Sequence, residues 1–214
     1  MNILITGTSR GIGKAIAQLF LQKGHEVYGF DINKETIQDE HYHHYIVDIV
    51  DDELPSLPEI DILINNAGVQ DGDPIAVNLR GTIRVSEVYA FSPSIRSVLF
   101  IASASASTGA EFPEYTASKG GVVSYMKNLA SRLAPKGATV NSLSPGGVNN
   151  ELNEHILNDK KLYEEVLNET MLHRWADVEE IAEWAYFLTV VNRSMTAQDV
   201  LVDNGEAAKF NFVW

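Results

Sequence analysis

Tyr115 and Lys119, four residues apart in the run PEYTASKGG (113–121), are the pair in this sequence best suited to moving a proton. On a helix that spacing sets both side chains on one face. A free phenol ionises near ~10, so proton transfer at neutral pH requires its anion to be stabilised, and an ammonium one turn away supplies that field. The same two residues also describe an ordinary solvated helix pair. Gly120 and Gly121 favour the first reading. A glycine inside a helix costs about 1 kcal/mol relative to alanine, so two in succession imply close approach by something.

A second chemical signal lies near the start. LITGTSRGIGKAIA (4–17) sets Gly7, Gly11 and Gly13 between an apolar run and a helical one. Glycines at a strand-to-helix turn let the backbone approach a pyrophosphate at the helix N-terminus, although such turns also use glycine for conformation alone. Asp31 follows near the ~20-residue interval at which an acid meets the adenosine ribose. A carboxylate there accepts from the ribose hydroxyls and repels a 2′-phosphate, which favours NAD. A turn-forming aspartate in DINK is the alternative. Arg10, beside the turn, suits a 2′-phosphate and keeps NADP open.

These residues need a scaffold, and the apolar pattern provides one. NILIT (2–6), EVYGF (26–30), YIVDI (45–49), DILINN (61–66), SVLFIAS (97–103), TVNSLSP (139–145) and DVLVD (199–203) read as strands. Near-continuous apolar strands belong to a sheet covered on both faces. Helical periodicity over 12–24, 114–137 and 177–191 alternates with them. The expectation is an α/β fold: one doubly wound parallel sheet in a Rossmann-like three-layer sandwich, with residues 1–214 forming a single domain. DELPSLPEID (52–61) is irregular and replaces a longer crossover helix.

Composition removes several function classes. The 214 residues carry a formal charge of −13, which argues against a nucleic-acid surface and gives no attraction to an anionic membrane. With no cysteine, thiol catalysis, disulfides and zinc–thiolate sites are excluded. The opening strand begins beside the first methionine and no signal peptide or membrane-length apolar run is recognisable, so a cytoplasmic protein is expected. HYHHY (41–45) groups three histidines, but neighbours in an extended run alternate faces and no partner stands at ligand spacing, so no metal is expected.

Taken together, the motifs resemble the short-chain dehydrogenase/reductase family along essentially the whole chain. TGTSRGIG (6–13) matches its glycine motif, NNAG (65–68) the segment after the fourth strand, and VNLRG (77–81) its asparagine helix. YTASK (115–119) matches the Y-x-x-x-K motif, LSPGGV (143–148) the P-G segment, and HRWADVEEIAEWAYFL (173–188) with DVLVDNG (199–205) the closing helix and strand. The resemblance implies a hydride-transferring oxidoreductase acting on a carbonyl/secondary alcohol pair with NAD, or with NADP. Tyr115 would be the general acid/base, Lys119 would tune it and hold the nicotinamide ribose, and Asn78 would carry a water relay. A serine would orient the substrate oxygen. Ala102 occupies the usual serine position, leaving Ser103 as first choice and Ser105 as second.

The same resemblance places the cofactor against Gly7, Ser9, Arg10, Ile12 and Gly13 in the turn, and against Asp31 and Ile32 after the second strand. Asp48 and Ile49 would meet the adenine, Asn66, Ala67 and Gly68 the adenosine ribose, and Pro145, Gly146 and Val148 the nicotinamide. Asn150 stands where a threonine often meets the carboxamide. Gly147 to Met171 would form the substrate segment. Only nine residues separate Gly68 from Asn78, fewer than the family usually has, so the substrate side is reshaped. The implied partners are a small-molecule substrate and further copies of the chain as a homo-oligomer, with KFNFVW at the C-terminus a candidate contact. The alternatives are an NADP-dependent ketone or 3-ketoacyl reductase, and a catalytically idle dinucleotide-binding redox sensor or scaffold.

Overall fold

In the computed structural model, which describes residues 1–110 and 112–209, β1 (Asn2–Thr6) sits near the centre of a seven-stranded sheet. It pairs in parallel with β2 (Glu26–Asp31) on one side and β4 (Ile62–Asn65) on the other. The full order is β3-β2-β1-β4-β5-β6-β9, with β3 (Tyr42–Ile46), β5 (Ser97–Ile101), β6 (Thr139–Pro145) and β9 (Asp199–Val202), and every pairing is parallel. After β3 the chain returns to the far side of β1. The crevice between the C-terminal ends of β1 and β4 is the topological switch point, where open α/β sheets bind ligands.

The period-two alternation of β1 sorts its side chains between two cores. Ile3 and Ile5 join one with Ile16 and Phe20 of α1 (Gly11–Gln22) and Ile181 and Ala185 of α7 (Val178–Tyr186). Leu4 joins the other with Val85 of α2 (Thr82–Tyr89) and Met126, Leu129 and Leu133 of α4 (Pro113–Leu133). Burying a side chain such as Phe20 contributes about 1.5–3 kcal/mol relative to exposure. Helices thus cover both faces, as near-continuous apolar strands require. Among the described residues no helix is long and apolar enough to cross a membrane.

Three elements depart from the sequence expectation. The third strand runs over Tyr42–Ile46 instead of 45–49, so His43 and His44 lie within it and His41 just before it. An edge strand tolerates them because His43 stacks on Tyr28, at 4.9 Å between ring centroids, and bonds to Glu26. The helix expected over 177–191 changes at Phe187 to a π-turn that runs to Val191, and the helix expected over 114–137 ends at Leu133 before a 3-10 turn. A π-turn also spans Ile75–Gly81, and Asn78 sits inside it. Neither crossover flanking β3 contains a helix, in keeping with the irregular 52–61 segment.

Candidate active site

The glycine turn is fixed by what a Cβ would collide with. At Gly13 a Cβ would lie 2.0 Å from the Gly7 carbonyl oxygen and 2.3 Å from Asn66 Nδ2. Gly7 itself has φ +76°, a left-handed conformation that favours glycine. The loop after β4 clamps this turn. Asn66 Nδ2 donates to the carbonyls of Thr6 (2.9 Å) and Gly7 (3.0 Å), and the backbone amides of Asn66 and Ala67 both donate to Thr6 Oγ1. The first turn of α1 is thereby presented, amides outward, to the crevice.

Tyr115 and Lys119 lie in the first two turns of α4, which opens with Pro113 at a position that needs no amide hydrogen. The Lys119 Nζ sits 5.8 Å from the Tyr115 ring centroid and donates to the Ile101 carbonyl at 2.9 Å. The α4 helix comes close to the Ile75–Gly81 turn because Gly121 has no side chain: a Cβ there would lie 2.9 Å from Leu79 Cδ2. Gly120 makes no comparable approach, since its nearest neighbour would be 3.9 Å away. Asn78 is 1% exposed. Its Oδ1 accepts from Val69 N–H (2.7 Å), and its Nδ2 donates to the Val69 carbonyl (2.9 Å) and Ser118 Oγ (3.0 Å). A Cβ on Gly68 would fall 3.0 Å from Asn78 Oδ1 and 3.4 Å from Lys119 Nζ, so both polar groups face the same small gap.

Ser103, just past β5, lines the cleft, whereas Ser105 lies behind it in the short helix α3 (Ser105–Thr108). Ser103 Oγ accepts from the Ser105 amide (3.2 Å) and hydroxyl (3.0 Å), leaving its own proton to donate. The cleft, about 290 Å³, runs from Asp31 and Ile32 at one end to Ser103, Tyr115 and Lys119 at the other. Of the predicted residues, Gly7, Arg10, Ile12, Asp48 and Ile49 line its first half. Asn66, Ala67 and Gly68 line its floor, and Pro145, Gly146, Val148 and Asn150 its second half. Ser9, Gly13 and Asn78 stand behind the surface and shape it.

The Asp31 carboxylate is held in place by three donors. Its Oδ2 accepts from the Ser9 amide (2.9 Å), and its Oδ1 from the Asn33 amide and side chain (2.8 and 2.9 Å). Asp48 Oδ1 accepts from the Val50 amide at 2.8 Å. Leu152 and Asn153 of the expected substrate segment line the cleft, and other lining residues escaped the sequence reading, among them Asn33 and Val69. Each adjoins a motif residue, and that adjacency is the only signal that would have exposed them. The segment after Pro145 folds into two short helices, α5 (Glu154–Leu157) and α6 (Lys160–Leu167). Its root is held by β7 (Val148–Asn149) pairing with β8 (Ala176–Asp177) and by Trp175, whose Nε1 would lie 2.1 Å from a Cβ on Gly147. The glycine turn, the buried Asp31 carboxylate and a polar far end with Ser103, Tyr115 and Lys119 together fit a dinucleotide.

Known proteins match this chain along its length. The profile of the family described as enoyl-(acyl carrier protein) reductase matches residues 7–206. A 3-oxoacyl-[acyl-carrier-protein] reductase of Chlamydia pneumoniae is 31% identical, over 95% of each chain. The enzyme of that name from Thermotoga maritima is 30% identical, over 94% of this chain and 96% of its own. Among solved structures, a mutant 4-hydroxyisoleucine dehydrogenase complexed with NADH and succinate superposes with a TM-score of 0.88 at 26% identity, covering 99% of this chain and 100% of that one. A putative 2-deoxy-d-gluconate 3-dehydrogenase from Agrobacterium tumefaciens with bound NADP gives 0.86 at 27% identity, over 97% and 96%.

Burial sets the chemistry of Lys119. The residue is 5% exposed, and loss of water holds its ammonium down from the ordinary 10.5 to about 8. A folded pKa below the unfolded one means that the charged form opposes folding. The penalty, on the order of 3 kcal/mol, is fully present below pH ~8 and fades as pH climbs towards 10.5. Lys119→Met is therefore expected to raise Tm by several degrees at pH 7, at roughly 2–4 °C per kcal/mol for a chain of this size. The gain should shrink towards zero near pH 10. Melting curves across that range check the sign, and an unchanged or pH-independent Tm would contradict it.

Proposed function

The chain belongs to the short-chain dehydrogenase/reductase family, and we propose that in this NAD(P)-dependent oxidoreductase Tyr115 transfers the proton, Ser103 holds the substrate oxygen and Lys119 tunes the phenol. The enzyme moves a hydride between a nicotinamide cofactor and a carbonyl/secondary alcohol pair. When bound, the cofactor supplies the hydride chemistry; the protein positions the reactants and handles the proton. The observation that carries the assignment is the buried Lys119 ammonium, 5.8 Å from the Tyr115 ring at the end of a cleft that begins at the glycine turn.

In reduction, Ser103 donates to the carbonyl oxygen and Tyr115 delivers its proton to the same atom. In oxidation, Tyr115 as phenolate removes the hydroxyl proton. The Lys119 cation stabilises that phenolate electrostatically. Asn78 Oδ1 and Lys119 Nζ face one gap over Gly68, and a water there would return protons from solvent. At the other end, Gly7, Ser9, Arg10, Ile12 and Gly13 would take the pyrophosphate, and Asp31 with Ile32 the adenosine ribose. Asp48 and Ile49 would meet the adenine, and Asn66, Ala67 and Gly68 the adjoining sugar. Pro145, Gly146, Val148 and Asn150 would hold the nicotinamide. Residues 1–214 act as one catalytic and binding domain.

Asp31 supports a preference for NAD, because its carboxylate stands at the end of the cleft where a 2′-phosphate would come. An NADP-dependent 3-ketoacyl reductase is the second reading, supported by Arg10 on the cleft wall and by the substrates in the relatives' names. Charge around the substrate end speaks against the carrier-bound substrate. The described residues of segments 66–79, 102–118 and 145–159 include six acidic residues and no lysine or arginine. Apart from the Lys119 ammonium, a substrate carrying a carboxylate, a phosphate or an acidic carrier would meet acidic groups there, which favours an uncharged secondary alcohol or ketone as the substrate. Exposed Trp184, Phe187, Val191 and Leu201 support self-association through α7 and the sheet edge. The lack of cysteine suits a reducing, cytoplasmic setting.

Nicotinamide absorbance over a panel of alcohols and ketones tests the assignment. Turnover of at least one pair is expected, whereas tight NADH binding with no turnover across the panel would favour an idle sensor. Within the panel, kcat/KM for a neutral ketone should exceed that of its matched keto-acid about tenfold, with the gap narrowing as salt screens the rim. Equal rates would contradict the charge account. Asp31→Ser should shift the NAD:NADP preference towards NADP by roughly tenfold, the ~1.4 kcal/mol of one removed repulsion; an unchanged ratio would point to Arg10 instead.

A further inference from the structure

His43 and His44 of β3 and His41 just before it are divided between the two faces of the strand. His41 Nδ1 and His43 Nε2 both meet the Glu26 carboxylate, at 2.7 and 2.8 Å, on the side away from the cleft. His44 lies on the opposite face with Tyr42. There the Tyr42 hydroxyl lies 2.7 Å from Thr8 Oγ1 and 3.0 Å from His44 Nδ1. His44 Nε2 stands 2.9 Å from the Asn33 carbonyl oxygen, which can only accept, so that nitrogen carries a proton.

Both ends of this chain belong to the corner assigned to the adenosine. Thr8, fully buried, is the residue between Gly7 and Ser9 in the glycine turn. Asn33 donates twice to Asp31, and Asp31 accepts from the Ser9 amide. The contacts close a circuit: Thr8, Tyr42, His44, Asn33, Asp31, Ser9 and back to Thr8 through one peptide bond. The sequence makes room for it at Gly29, where a Cβ would lie 2.3 Å from the Tyr42 hydroxyl and 2.6 Å from Thr8 Oγ1. Burial, above all, pushes the Tyr42 phenol up to about 12, so it stays a hydroxyl throughout the working range. Neither Tyr42 nor His44 lines the cleft.

We propose that Tyr42 and His44 are positioning residues for the adenosine half of the cofactor: they fix the spacing between the glycine turn and the Asp31 carboxylate without touching the ligand. The circuit does this because a shift of either part must break a hydrogen bond, and all of its links except the exposed His44–Asn33 contact are buried or half-buried. It follows that the pair governs cofactor affinity and leaves the chemical step alone. The proposal rests on the reading of the glycine turn and Asp31 as the cofactor site.

Dissociation constants for NADH and for ADP-ribose, which lacks the nicotinamide, are measured on wild type, Tyr42→Phe, His44→Ala, His44→Gln and the Phe/Ala double variant, alongside kcat at saturating cofactor. Tyr42→Phe and His44→Ala are each expected to weaken both ligands about fivefold, with kcat within about twofold of wild type. The double variant should be little worse than either single one, since both cut the same chain. His44→Gln, whose amide reaches the Asn33 carbonyl, should recover most of the loss. His44 is half-buried on an edge strand, so its variants fold even where Tyr42→Phe is unstable. Unchanged affinities in the His44 variants, or a fall in kcat with unchanged affinity, would overturn the role given to the pair. A wild type that bound neither ligand would instead overturn the cofactor reading, and this inference with it.

Discussion

A lysine ammonium kept out of water is the constraint around which the catalytic end is built. Lys119 has left solvent for a site where its recorded hydrogen-bond acceptor is one backbone carbonyl, that of Ile101. Such a group opposes folding at neutral pH, and the apolar cores on both faces of the sheet have to outweigh it. The neighbourhood is arranged to permit this burial. Gly121 lets α4 settle against Leu79, and Gly68 leaves space in front of both Lys119 and Asn78. A positive charge in a poorly hydrated site acts strongly on what lies beside it, and here that is Tyr115. In the proposed mechanism the destabilising residue and the chemically useful one are therefore the same.

The parallel sheet brings the remaining groups to this point. The C-terminal end of β1 delivers Gly7, that of β4 delivers Asn66 to Gly68, that of β5 delivers Ser103, and that of β6 delivers Pro145 and Gly146. All these strands run the same way, so their ends share one edge, and the reversal of strand order beside β1 opens a crevice there. Backbone contacts then set the fine spacing. Asn66 ties the loop after β4 to the carbonyls of Thr6 and Gly7, and Asn78 ties Val69 to α4 through Ser118.

Much of this was legible in the sequence, and unevenly so. β1 and β6 have the expected bounds because both are interior strands buried along nearly their whole length, β1 as an almost continuous apolar run and β6 with its polar side chains bonded inside the fold. β3 lies three residues earlier than expected because an edge strand need not be apolar, and the expectation set the histidines just before the strand. The π-turn around Asn78 carries no periodicity that a sequence pattern records, so the side chain's engagement with Val69 could not be foreseen. The two glycines after Lys119 were read together, but only Gly121 meets a close neighbour. Ser103 and Ser105 are chemically identical in sequence; the turn into α3 alone sends one to the cleft and the other behind it. Of the C-terminal KFNFVW, residues 210–214 lie outside the described residues.

The central claim is that Tyr115 moves the proton while the rest of the cleft binds. Its most direct test is Tyr115→Phe, which removes one oxygen atom and leaves the helix, Lys119 and the cleft walls in place. The expected result is turnover lowered by at least about a hundredfold, the scale of a lost general acid/base, with NADH affinity within about threefold of wild type. Turnover close to wild type in the phenylalanine variant would contradict the account and move the proton to another group.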